Sequence, residues 1–149
     1  MNGSRFTFDT NILFYASDST AGERHQTALI LTDEAKGRDC LVMLQSLGEL
    51  FNAMLKRRAK SAVEAEQIIL AYRETFTIVP AIEVDLNDAI LAQQQHKLPF
   101  WDAMLWATAR RAGCTLILTE DLQDGRTLGG VTFRNPFKLS QPQLAELLG

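Results

Sequence analysis

"RFTFDTNILFYA", residues 5–16, is the stretch on which the fold turns. Phe6, Thr7 and Phe8 form a short run of strand-forming residues, and Asp9 stands where that strand should end. Thr10 and Asn11 are helix-capping types, and apolar residues then resume. A carboxylate at such a junction has two readings. Asp9 either starts the next helix, accepting hydrogen bonds from its free amides, or it is the first of several acids gathered around a shared cation.

Similar short and mostly apolar runs recur at Leu41 to Leu44, Phe76 to Val79, Thr115 to Thr119 and Val131 to Arg134. With Phe6 to Asp9 they read as strands buried on both faces. Between them the pattern predicts helices over Glu23 to Lys36, Ser46 to Arg58, Ala62 to Thr75, Leu86 to His96, and Phe100 to Ala112, the last stopped by Gly113. Breaks fall at the Gly-Arg-Asp turn after Lys36, at Leu-Pro before Phe100 and at Asp-Gly-Arg after Leu122. Strands alternating with helices imply an α/β fold with a mostly parallel sheet covered on both sides. No internal repeat, low-complexity tract or linker interrupts residues 1–149, so one domain is expected.

Composition sets the outer bounds. A chain of 149 residues can bury roughly 70% of its unfolded surface. Apolar residues at 46% and charged residues at 22% exclude a disordered polar chain. No apolar run approaches the roughly 20 residues that span a bilayer, and the first residues lack the basic and apolar segments of a signal peptide. No membrane association and a cytoplasmic location are therefore expected. Cys40 and Cys114 each precede a strand-like run and read as buried free thiols without metal. A net charge of −3 does not suit a protein that coats nucleic acid, but an acidic pocket would itself move the balance that way.

Ligands of open parallel sheets bind beyond the carboxyl ends of the strands. Asp9 closes the first strand and Asp121 follows "TLILT" by two residues, so both fall at one edge. Taken singly, Glu120, Asp121 and Asp124 in "TEDLQDG" also suit a solvated turn. Asp102 in "LPFWDAMLWATARRAG" shares a helical face with Leu105, Trp106 and Ala109. Burying it unpaired costs several kcal/mol, of which its place in the first helical turn offsets roughly 0.3–1 kcal/mol. It therefore asks for a proton, hydrogen bonds, a paired cation or a metal. Glu49 in "LQSLGELFNAMLKRR" faces away from the stripe Leu47, Leu50, Phe51 and Met54, and by pattern alone it is a solvent-face glutamate.

Four stretches in order resemble the PIN-domain ribonucleases, and within them the VapC-type toxins of toxin-antitoxin pairs: Asp9 in "FDTNILFYA", Glu49 in "SLGELFNAML", Asp102 in "LPFWDAMLWATA" and Asp121 in "LILTEDLQDG". "GGVTFRNPF" is similar to the family's closing strand, so the likeness runs from residue 6 to about 137. The resemblance implies a three-layer α/β/α sandwich, an acidic pocket binding Mg2+ or Mn2+, cleavage of RNA, an antitoxin partner and a homodimer. It also brings Glu49 into the site. One departure is Glu120 beside Asp121, where Asn or Asp is common, with Asp124 nearby.

Carboxylates without histidines or thiolates suit a hard, oxygen-preferring cation, and His25 and His96 lie in segments apart from the acid motifs. Asp9, Asp102 and Asp121 are the expected metal ligands, with Glu49 as a further catalytic acid that binds metal or orients water. Thr10, Asn11, Ser46, Thr119, Glu120 and Asp124 are expected to support them. Lys56, Arg57, Arg58 and Lys60 in "LKRRAK", with Arg110 and Arg111, are the candidates for RNA backbone contacts, although basic residues at helix ends also complement the dipole. Phe6, Phe8, Phe51, Trp101 and Trp106 read as core.

Rival readings fail on particular residues. A haloacid-dehalogenase-type phosphatase needs an acid two residues after the first aspartate, where this chain has Asn11. A phosphoacceptor receiver needs an aspartate and a lysine that "LVMLQS" and "LILTED" do not supply. A housekeeping RNA-processing nuclease and an inactive PIN-like binding module remain the alternatives to a toxin.

Overall fold

The computed structural model describes residues 4–149. Strand β1 (Phe6–Phe8) leads through Asp9 into helix α1 (Thr10–Ser17), followed by α2 (Glu23–Ala35), β2 (Leu41–Met43), α3 (Leu44–Lys56), α4 (Ala62–Thr75), β3 (Thr77–Val79), α5 (Glu83–His96) and α6 (Phe100–Arg111). The chain then forms β4 (Leu116–Leu118), β5 (Thr127–Leu128), β6 (Val131–Arg134), a 3₁₀ turn (Pro136–Lys138) and α7 (Gln141–Leu148).

β1, β4 and β6 pair in parallel, and β5 adds an antiparallel edge, giving the order β1-β4-β6-β5. β2 and β3 form a second parallel pair, which a parallel bridge between Phe6 and Cys40 places beside β1. Because strand side chains alternate, the sheet feeds two cores. Phe6, Phe8, Val42, Leu116 and Leu118 pack with α1, α2, α3 and α7 on one face; Leu41, Met43, Ile117, Val131 and Phe133 pack with α5 and α6 on the other. This is the expected α/β/α arrangement with a mostly parallel sheet.

Local chemistry explains the boundaries. α4 begins in a capping box, Ser61 and Glu64 each satisfying the other's backbone amide. α5 starts three residues before the expected Leu86, because the Asp85 carboxylate accepts the Ile82 amide at 2.9 Å and secures an extra turn. Gly113 ends α6 at φ 90, with its own amide and that of Cys114 returning to Arg110 and Ala109 at 3.0 and 2.9 Å.

Three elements lie outside the sequence expectation: α1, the short β5 and α7. α1 has almost no polar face to set a helical period, since Ile12, Leu13 and Phe14 are all buried. β3 differs in environment. It is the outer strand of its pair and only partly buried, Thr77 being exposed and Ile78 and Val79 half-buried, rather than buried on both faces. Cys40 and Cys114 are buried free thiols, as expected. No helix of the described residues is long and apolar enough to cross a membrane.

Candidate active site

At the carboxyl edge of the sheet, the junctions β1–α1 and β4–β5, one side of α3 and the start of α6 line a pocket of about 230 Å³. It is lined by Asp9, Thr10, Asn11, Gln45, Glu49, Ala53, Trp101, Asp102, Leu105 and Asp121. The four acids singled out in the sequence therefore meet in one cavity, although Asp9 and Asp121 lie 112 positions apart in the chain.

Asp9 occupies the cap position of α1, yet its side chain makes no capping hydrogen bond. Instead Oδ2 accepts from Thr119 Oγ1 at 2.9 Å, and that same hydroxyl oxygen accepts the Asp121 amide at 3.1 Å. One threonine thus ties the end of β1 to the loop after β4. Asn11 Nδ2 donates to Asp121 Oδ2 at 2.8 Å, and Thr10 Oγ1 donates to Glu49 Oε1 at 2.8 Å. Three consecutive residues after β1 thereby address three different acids.

Electrostatics match this crowding. Burial, reinforced by the neighbouring Asp121 carboxyl and the Asp102 charge, raises the Asp9 pKa to about 7, although the Thr119 hydroxyl works against it. Burial, then the charges of Asp121 and Glu49, raises Asp102 to about 6. Among the described residues, the cavity lining contains no lysine or arginine to offset these charges. Its donor set is all oxygen, which fits a hard divalent cation. Among the described residues, no three His, Cys, Asp or Glu side chains form a ready-made metal centre. Magnesium tolerates this, because it keeps several waters and takes only one or two carboxylates directly.

Other expected residues lie elsewhere. Asp124 turns to Arg134 Nε and the Asn135 amide, at 3.1 and 2.8 Å, and closes the β5–β6 region instead of the pocket. Glu120 accepts from the Tyr15 hydroxyl and from Arg24 Nε at 3.1 Å, so it faces away from Asp121 and anchors the same loop to α1 and α2. Ser46 is buried beneath α3 and its hydroxyl makes no hydrogen bond among the described residues. Arg111 is committed to the fully buried Asp85 at 2.8 Å and to the Pro80 carbonyl, which removes it from the set open to phosphate. Arg110 lies over Trp106 and Arg57 over Phe14. Lys56, Arg58 and Lys60 sit at the far end of α3 and the turn after it.

Trp101, expected in the core, is 61% exposed at the pocket's lip. Its position in the first turn of α6 turns it outward, while Trp106 takes the buried face. Sequence reasoning missed Gln45, whose Nε2 donates to the Trp101 carbonyl at 2.9 Å and to Glu49 Oε1 at 3.4 Å. Its spacing of four from Glu49 was the available signal. Tyr15 and Arg24 were missed as well, and no local pattern marks them.

A model of the PIN domain matches residues 6–123. Among solved structures, a VapC toxin of Mycobacterium tuberculosis, titled as sarcin-ricin loop cleaving, superposes with a TM-score of 0.63 at 18% identity, covering 78% of this chain and 89% of that one. A toxin-antitoxin complex from Klebsiella pneumoniae gives 0.65 at 23%, covering 89% and 98%. VapBC2 of Rickettsia felis, bound to a DNA fragment from its promoter, gives 0.63 at 14%, covering 87% and 97%. At such identities the likeness establishes the fold. No curated protein sequence matches the chain.

Proposed function

The chain belongs to the PIN-domain family, and from that premise we propose that it is a Mg2+- or Mn2+-dependent ribonuclease, a single nuclease domain acting in the cytoplasm as the toxin of a toxin-antitoxin pair. The observation that carries the reading is the meeting of Asp9, Glu49, Asp102 and Asp121 in one cavity, with Asp9 held away from the capping role its position offers. Structural neighbours that are toxin-antitoxin complexes support the toxin role over a housekeeping nuclease.

Asp9, Asp102 and Asp121 would hold the ion. When bound, it supplies an acidified water and offsets charge on the phosphate. Glu49, exposed and held by a hydrogen bond from Thr10, would take the proton of the attacking water. Thr119 and Asn11 hold Asp9 and Asp121 in register, so the acids are set before substrate arrives. Water attacks phosphorus, the bond to the ribose oxygen breaks, that oxygen leaves as a hydroxyl with a proton from solvent, and the chain is cut without a covalent enzyme intermediate. RNA, a small co-encoded antitoxin protein and a second copy of the chain are the proposed partners.

The test is incubation of antitoxin-free protein with total RNA, with Mg2+ or with chelator, beside Asp102→Asn. Metal-dependent cleavage by the wild type, and at least about 100-fold less by the variant, is expected. Full activity in chelator refutes the reading. Growth arrest on expression, relieved by the antitoxin, separates toxin from housekeeping enzyme.

A further inference from the structure

Trp101 is left unused by the chemistry above, and its setting is unusual. It immediately precedes Asp102 and lies at the pocket's lip with 61% of its surface exposed. An indole left in water forgoes the favourable burial that Trp106 obtains five residues later. Its pose is nevertheless constrained. Gln45 holds the Trp101 carbonyl at 2.9 Å, and the Phe100 ring meets the indole edge-to-face with centroids 5.0 Å apart. Phe100 itself packs into the core beneath α6.

The pocket also has a recognition problem. Among the described residues its lining presents four carboxylates and no lysine or arginine, so it repels a phosphate backbone wherever metal does not intervene. Arg111 is bound to Asp85, while Arg57 and Arg110 lie over Phe14 and Trp106. A grip beside these acids is best supplied by a group without charge. Aromatic stacking on a nucleobase is such a grip, and every base has a face to offer.

We infer that Trp101 is a stacking platform for an unpaired nucleobase flanking the phosphate that enters the carboxylate pocket. The inference rests on the ribonuclease reading. Asp102 is the next residue, its Cα roughly 3.8 Å away, so a base laid on the indole brings a neighbouring phosphate to the acids. A base inside a duplex is already stacked on both faces. The substrates are therefore single strands, loops or bulges, whose bases can splay out.

The test uses an oligoribonucleotide spanning a cut site mapped in total RNA, and a series in which successive flanking positions are abasic. Trp101→Ala should raise KM roughly 5- to 100-fold with much less change in kcat, and Trp101→Phe should retain most of the affinity. One abasic position should cause a similar loss in the wild type and little further loss in Trp101→Ala. Thermal unfolding should be unchanged, since the side chain is exposed. A wild-type KM in Trp101→Ala, or equal abasic losses in both proteins at every position, overturns the inference while cleavage itself leaves the ribonuclease reading standing. Unchanged KM with lost self-association overturns it too, by assigning the indole to a protein contact. If the wild type cuts no RNA, both fall.

Discussion

Replacing Asp9 with Asn should stabilise the metal-free protein and weaken the stabilisation that metal brings. Asp9 is only 7% exposed, and burial, the adjacent Asp121 carboxyl and the Asp102 charge raise its pKa from 3.8 to about 7. A carboxyl that holds its proton more tightly when folded makes the native state bind more protons than the unfolded chain between those two values. Stability is then greatest below about pH 4 and falls as pH rises to about 7. At about 1.4 kcal/mol per pH unit, the whole interval gives an upper bound of about 4 kcal/mol. The pocket opens to solvent, which screens the repulsion, so about 1–2 kcal/mol is expected. Asn keeps the size and an acceptor for the Thr119 hydroxyl while removing the charge. Metal-free Asp9→Asn should therefore melt roughly 2–8 °C above wild type at pH 8, at about 2–4 °C per kcal/mol. The gap should narrow toward pH 5. With Mg2+ at ten times Kd, the wild type gains about 1.4 kcal/mol, and the variant gains less. Thermal unfolding followed by circular dichroism, in chelator and in Mg2+ or Mn2+ from pH 5 to pH 8, measures all of this. A metal-free variant that melts below wild type at pH 8 would show that the Asp9 carboxylate is structural. Equal gains from metal in both proteins would show that the ion does not use it.

Thr119→Val removes the hydroxyl that joins Asp9 to the Asp121 amide, and should lower RNA cleavage about 10-fold or more while the Mg2+ dependence shifts to higher concentration, read from metal titrations of activity. Asp85→Ala should destabilise by about 3 kcal/mol, measured by urea unfolding, because it leaves the Ile82 amide and the Arg111 guanidinium without their partner. Burial opposes ionisation of Asp85, but Arg111 and the Ile82 amide outweigh it and hold its pKa below the usual 3.8. The stability it confers is therefore present above about pH 4 and lost as pH falls below that. Gly129→Ala should cost about 1–2 kcal/mol in the same assay, since Gly129 sits at φ 55 and a Cβ there would lie 3.0 Å from both Trp106 and Arg110.

The fold class was legible in the sequence, and three of the acids that line the pocket, Asp9, Asp102 and Asp121, were singled out by their positions in it. Short apolar runs report strands buried in a parallel sheet, and the alternation of period two with period 3.6 needs no tertiary information. Asp9 and Asp121 were placed at one edge because each follows a strand of the same direction, and Asp102 was marked by the apolar face that carries it. Glu49 was different. Its helix pattern said solvent, and only likeness to a family assigned it to the site.

Tertiary structure decided what depends on which distant groups become neighbours. That Asp9 serves Thr119 rather than its own helix rests on a contact across 110 residues, which no local pattern encodes. Glu120 and Asp124 look like Asp121 in sequence, yet Tyr15 and Arg24 draw one away and Arg134 the other. Arg111 reads as a free cation at a helix end until Asp85 arrives from α5. Trp101 and Trp106 are alike in type, and one helix turns the first into solvent and the second into the core. Periodicity gives the face of a helix, but which face is covered depends on the sheet it packs against, and that is set by the whole chain at once.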